Sequence, residues 1–441
     1  MKKFFLLPAA FTVINSGSVS AQTWSSIATL TGMDCSYGVD DLKTFDDDLY
    51  IIGGFRIANS DSSCWSCHWD GSNLIPHPAF VDGCGIYGLD IFHDSLYAVG
   101  GLQFNNGFDG QGVGVWNGTT WQTGSDLFDG GEFAIYADSD DLYIGDWAGL
   151  VNKKTGNGSF APLSDSFEGP NQLVNAIIKY NGNIIAGGYW ISYNGDTMND
   201  IARWDGTTWQ PLGTGIYVGP GYASWVRCLK VFNGELYVGG YFEFAGGVPA
   251  RGIAKWNGTS WSDVGGSITS NFGDEIYDMK VYGNALYVVG TFTQIGGVNA
   301  KYLASWNGTS WHDEGFDVEL DHGLSCVEVY NNAVYVGTVT YSYETGHVYR
   351  ASFKTGISVE KDSIDLSIFP NPSSGFLYVN FAFDNPDEYK LEIYAASGTL
   401  MYRQFIRTDQ SLDLNFLSQG VYTLLLRKRD EVLQRKELIV L

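Results

Sequence analysis

A short phrase recurs along this chain, and its recurrence limits the fold more than any other feature. Leu229-Lys230-Val231-Phe232-Asn233-Gly234-Glu235-Leu236-Tyr237-Val238-Gly239-Gly240 is followed by Ile253-Ala254-Lys255-Trp256-Asn257-Gly258-Thr259-Ser260-Trp261. The pattern returns around Tyr50, Tyr97, Tyr143, Ile185, Tyr287 and Tyr335, with successive gaps of 47, 46, 42, 52, 50 and 48 residues. Such a period fits a unit of four short strands, the size of one propeller blade. The reading is therefore all-β: a seven-bladed β-propeller over residues 22–357, followed by a small antiparallel β-sandwich over 358–441.

Each piece of the phrase has a physical task. Asn233-Gly234 accepts positive φ, as a tight hairpin between the first two strands requires. The di-glycine ending the second strand admits close backbone approach. Ile52, Val99 and Val289 are an extra residue before it in three repeats, which a β-bulge would absorb. If Asn257-Gly258 is a two-residue turn, Trp256 faces Thr259, and Trp261 shares that face. Trp116/Trp121, Trp204/Trp209 and Trp306/Trp311 repeat the pair, so these tryptophans are expected in the core. The last repeat stops after Tyr349-Arg350-Ala351-Ser352-Phe353, without a final strand. Thr23-Trp24-Ser25-Ser26-Ile27 reads as the missing strand and is expected to complete the seventh blade, which removes an exposed edge.

The repeats resemble kelch-type propellers, which share the di-glycine and the spaced aromatics. They are closer to the Trp-Asn-Gly-Thr-rich repeats of bacterial surface proteins and fungal cortical markers. This implies a fold but no activity, because propellers serve many functions.

Before the repeats, Lys2-Lys3, the apolar run Phe4 to Ile14 and Val19-Ser20-Ala21 read as a signal peptide over residues 1–21, cut between Ala21 and Gln22. The apolar run is short for a membrane span, and no other run suggests a transmembrane segment. After the repeats come Pro370-Asn371-Pro372 with Gly375, Ile393-Tyr394-Ala395-Ala396-Ser397-Gly398, Leu417-Ser418-Gln419-Gly420-Val421-Tyr422 and the ending Lys436-Glu437-Leu438-Ile439-Val440-Leu441. This set resembles the type A C-terminal sorting domain of the type IX secretion system of Bacteroidetes. The resemblance implies that residues 358–441 engage the type IX secretion machinery, and that the chain is secreted or held at the outer cell surface.

Charge narrows the partners. Residues 22–357 hold 14 Lys and Arg against 37 Asp and Glu, within a formal net charge of −24 for the chain. That argues against a nucleic-acid surface, which needs clustered cations.

Export permits disulfides, and Cys35 with Cys84 is the first choice among the cysteines between residues 35 and 84. Cys228 and Cys326 share one repeat position and read as buried thiols. Cys64-Trp65-Ser66-Cys67-His68 matches a c-type haem attachment pattern, but it falls within a strand, so no cofactor is expected. The histidines do not assemble a metal site. Asp46-Asp47-Asp48 and Asp138-Ser139-Asp140-Asp141 read as solvated turns rather than calcium loops.

Ten of the fourteen tryptophans fit the repeat, which singles out the others. Trp65, Trp147, Trp190 and Trp225 fall near loops leading into the blades, beside Tyr189, Tyr193, Tyr217 and Tyr222. Exposed there, they would stack on sugars or anchor a protein. Trp65, Trp147, Trp190, Tyr193, Tyr217, Tyr222 and Trp225 are thus the expected binding residues of a non-catalytic module for an extracellular glycan or protein. The alternatives are a hydrolase or lyase using loop carboxylates such as Asp196, Asp274 and Asp321, and a purely structural surface protein. No catalytic motif stands out.

Overall fold

The computed structural model describes residues 24–32, 38–57, 63–77, 85–102, 112–124, 131–156, 158–169, 172–219, 223–270, 274–339, 345–352, 367–369, 373, 376–380, 389–395, 400–405, 410–414, 416–428 and 431–440. All regular structure among them is β. Ala21, Gln22, Cys35, Cys84 and Tyr222 lie outside the described residues. The chain divides into two compact units, Met1–Lys354 and Thr355–Leu441.

The sheet around Tyr237 shows the plan of the repeat. Trp225–Phe232, Glu235–Tyr241, Ile253–Trp256 and Trp261–Asp263 pair antiparallel in chain order. The first turn holds only Asn233 and Gly234, at φ 49° and 76°, the type I′ geometry that suits strand twist. Asp46-Asp47 takes the same form at φ 50° and 66°, which accounts for that acidic run as turn chemistry. Four-stranded sheets of this order also form around Tyr97, Tyr143, Ile185 and Tyr287.

The repeats around Tyr335 and Tyr50 share one eight-stranded sheet. Ser25–Gly32 joins them. It pairs antiparallel with Thr345–Ser352, from Ser25 opposite Arg350 to Thr31 opposite Thr345. Its last residues, Leu30 to Gly32, also pair with Phe55 to Ile57 of the Tyr50 repeat.

Two local expectations need correction. Trp256 stands opposite Trp261, not Thr259, so the turn spans Asn257 to Ser260. The Asn257 side-chain oxygen accepts from the amides of Thr259 and Ser260 and from the Thr259 hydroxyl, each at 2.9 Å. This Asx cap makes the longer turn favourable. Asn117, Asp205 and Asn307 cap the equivalent turns. The indole N–H of the second tryptophan then donates to the preceding repeat: Trp121 to Ser66 Oγ, Trp209 to Ser164 Oγ, Trp261 to the Leu212 carbonyl and Trp311 to that of Val264. The expected bulge is present in one of the three repeats: after Ile52 the second strand shifts register against the third, between Ile52 and Phe55. Val99 and Val289 instead sit in regular register on both sides. Each repeat also shifts register once in its first strand, as between Val226 and Cys228.

First strands neighbour one another in chain order from Val39–Phe45 to Leu324–Tyr330, and the last also lies against the first. The edge of each first strand that faces away from its second strand would leave amides unpaired, a costly state away from water. Carboxylates from adjacent repeats satisfy them. Asp41 accepts from the Leu89 amide, Asp90 from Ala137 and Asp278 from Val327. Lys43–Asp90 at 2.7 Å and Lys280–Glu328 at 2.5 Å join neighbouring first strands in the same region.

The C-terminal unit has two antiparallel sheets. One joins Ser367–Phe369, Phe376–Asn380 and Gln410–Asp413; the other orders Leu400–Phe405, Tyr389–Ala395, Gly420–Lys428 and Glu431–Val440. Leu377 and Leu412 of the first share a core with Leu391, Ile393, Leu424, Leu426 and Leu438 of the second. Glu392 is held by Arg403 and Arg427, both at 2.8 Å.

Candidate functional site

The informative place is where the first strand of a repeat begins against the end of the second. In the Tyr97 repeat this pair is Gly85 and Gly101; in the Tyr335 repeat, Gly323 and Val339; in the Tyr287 repeat, Glu275 and Thr291. Three consecutive repeats between them differ. There the pairs are Gly131 with Trp147, Leu173 with Tyr189, and Trp225 with Tyr241. The register makes Trp147, Tyr189 and Tyr241 equivalent residues of neighbouring sheets.

These aromatics reach solvent. Trp147 is 48% exposed and Tyr241 38%, while Tyr189 and Trp225 are half-buried. A Cβ on Gly131 would lie 2.8 Å from the Trp147 indole, so the glycine makes room for that ring. Trp225 links two members of the set, with ring centroids 5.3 Å from Tyr189 and 6.1 Å from Tyr241. The Arg227 guanidinium sits 5.5 Å from the Trp225 ring and 5.6 Å from that of Tyr277, a cation–π arrangement that stiffens the indole. Arg227 Nε also donates to Glu275 at 2.6 Å. Arg251 is likewise paired, with Asp274 at 2.8 Å and Glu243 at 3.0 Å.

The predicted binding residues therefore divide. Trp147 and Trp225 belong to this surface. Trp65, Trp190 and Tyr193 do not, because all three are buried. Trp65 packs with Tyr50, Ile52, Trp116 and Trp121. Trp190 stacks on Phe167 at 4.1 Å with the rings 6° apart, and Tyr193 meets the same phenyl ring edge-on. They close the core beneath a long connection instead of meeting solvent. Tyr217 stacks on Phe244 at 5.4 Å within a separate short sheet. Tyr241 and Arg227 were missed by sequence reasoning. Their signal was positional: Tyr241 follows a di-glycine as Tyr189 does.

The loop carboxylates do not assemble. Asp196 and Asp321 are exposed, and Asp274 is tied to Arg251. Burial raises the Asp274 carboxyl above its ordinary range. Among the described residues no hydrogen bond or ion pair joins any two of the three. Nor do they include a cluster suited to a metal ion. Cys228 and Cys326 are buried free thiols, raised well above the usual thiol range by burial.

An unexpected chain of polar side chains runs through the Tyr50 repeat. Ser66 Oγ meets His77 Nδ1 at 2.9 Å, and His77 Nε2 meets His68 Nδ1 at 2.7 Å. His68 Nε2 faces Asp48 at 3.7 Å. Burial pushes His77 down to about 3, with His68 adding to the shift. Ser66 is fully buried, so the chain satisfies core polar groups and offers no nucleophile to a substrate.

Comparison with known proteins bears first on the tail. Residues 367–440 match the family described as the secretion system C-terminal sorting domain. This chain is secreted or held at the outer cell surface. A search of curated proteins finds no match. Among solved structures, the chain is similar to the extracellular domain of the hybrid two-component system BT4673 from B. thetaiotaomicron, at 12% identity and TM-score 0.48, covering 95% of this chain and 60% of that one. It thus spans less than two thirds of that neighbour. The WD40 β-propeller domain of Doa1 follows at 13% identity and TM-score 0.47, covering 76% and 98%. YCF48 bound to D1 peptide gives 11% identity and TM-score 0.47, covering 76% and 99%. Among the described residues no helix is long and apolar enough to cross a membrane.

Proposed function

We propose that this chain is a non-catalytic glycan-binding module delivered by the type IX secretion route. In this reading residues 22–357 are a seven-bladed, kelch-like β-propeller, and 358–441 are a β-sandwich that addresses it to the secretion machinery. Support for the ring comes from the cyclic order of first strands and from Ser25–Gly32 lying beside Thr345–Ser352.

One observation carries the binding role. Three consecutive sheets place Trp147, Tyr189 and Tyr241 where other repeats have Gly101, Thr291 or Val339. Burying an aromatic ring on a partner releases much apolar surface at little entropic cost. Half-exposed rings in polar surroundings suit the apolar faces and hydroxyl edges of sugars.

Affinity electrophoresis through gels carrying neutral plant and microbial polysaccharides tests it. The exported chain should be retarded in at least one gel, and Trp225→Ala and Trp147→Ala should each lose retardation. No retardation in any gel, or retardation untouched by either variant, overturns the glycan reading; capture by a protein ligand instead does the same.

A further inference from the structure

We infer that the ligand is an extended, uncharged polysaccharide strand lying along the three neighbouring repeats, one aromatic per repeat. The inference rests on the glycan reading above and specifies its ligand. The first strands Glu132–Ala137, Leu173–Tyr180 and Trp225–Phe232 are consecutive neighbours. Residues at one register position on successive sheets must form a row, so Trp147, Tyr189 and Tyr241 follow one another along the surface. Trp225 fills the interval between the last two. A single monosaccharide would not need an aromatic repeated at one structural position.

The row also has ends. Beyond Trp147 the equivalent pair is Gly85 and Gly101, and beyond Tyr241 it is Glu275 and Thr291. The surface therefore fits a stretch of a few sugar units, and further units add nothing.

Charge decides the class of sugar. Glu275 neutralises Arg227, and Asp274 with Glu243 surrounds Arg251. No cation beside the row is left for a uronate or sulfate among these pairs. The surrounding domain carries 14 Lys and Arg against 37 Asp and Glu, a field that repels a polyanion.

Titration calorimetry on the full exported chain tests this with neutral glucan, xylan and mannan oligosaccharides of two to six residues, and with oligogalacturonate as the anionic probe. Affinity for the neutral series that binds should rise about tenfold for each further ring engaged, then level off. Trp147→Ala and Tyr241→Ala should each weaken the longest oligosaccharide more than the shortest and reduce the length dependence. Ile75→Ala, an exposed residue elsewhere, should leave the series unchanged. Equal affinity for short and long oligosaccharides overturns the extended site but leaves a glycan site standing. Preference for oligogalacturonate overturns the uncharged ligand. Failure of every oligosaccharide to bind overturns the glycan reading itself.

Discussion

Two tryptophans that look alike in sequence have opposite surroundings, and their substitution separates stability from binding. Trp190 is 1% exposed and stacked on Phe167. Trp190→Ala leaves a large cavity and should cost about 3–5 kcal/mol. Trp147→Ala removes a half-exposed ring and should cost clearly less, about 1 kcal/mol. Urea denaturation midpoints of the two variants check this directly. Asp200 makes a second prediction at this scale. Its carboxylate accepts from the Ser224 hydroxyl and the Trp190 amide, yet burial pushes its carboxyl up from 3.8 to about 8. A folded value above the unfolded one means the folded chain holds this proton more tightly. The contribution is full below the unfolded value and is lost as pH rises toward 8. Asp200→Asn should therefore reduce the fall in stability between pH 5 and pH 8. An unchanged slope in denaturation across that range would refute the assignment. His77 acts in the opposite sense: its depressed value makes its contribution present above pH 6.5 and lost as pH falls toward 3.

At the level of strands and turns, the period and the Asn-Gly turns were legible because each is encoded locally. Asn233 and Gly234 need only their own φ values, which the residue types allow. The Trp-Asn-Gly-Thr hairpin was read two residues too tight, because its length is set by the Asn257 side chain capping later amides, not by the Asn-Gly pair. Asn257→Ala removes that acceptor and should cost about 1 kcal/mol, measured as a lower denaturation midpoint. The aromatic row was only partly legible for a related reason. Aligning di-glycines matches Gly53-Gly54 with Gly239-Gly240, whereas the ladder puts Ile52 in the place of Gly239. That slip hid the equivalence of Tyr189 and Tyr241 with Gly101. Departure from the repeat singled out Trp65 and Trp190, but departure carries no information about which side of a sheet a ring occupies. The histidine chain was illegible because His68 and His77 meet only through strand pairing across Cys67 and Pro76.

For the molecule as a whole, the two units have separate cores, so each end of the chain has its own effect when removed. Ser25–Gly32 contributes buried Ala28 and Leu30 to a cluster with Tyr335 and Val348. Without it Thr345–Ser352 becomes an open edge, with its amides and carbonyls unpaired on that side. The sheet around Tyr335 would also lose its direct link to the sheet around Tyr50. Deleting residues 24–32 should therefore lower the melting temperature of the whole repeat unit, because the neighbouring first strands lean on one another around the set. Deleting residues 358–441 should leave that melting transition where it was, since the tail's core is its own. The same truncation should retain the protein within the cell envelope of its host, where the intact chain is found outside. Differential scanning calorimetry and cell fractionation read the two effects independently. A large loss of melting temperature on removing the tail would show that the repeat unit depends on it. Undiminished export of the truncated chain would show that residues 367–440 are not the address.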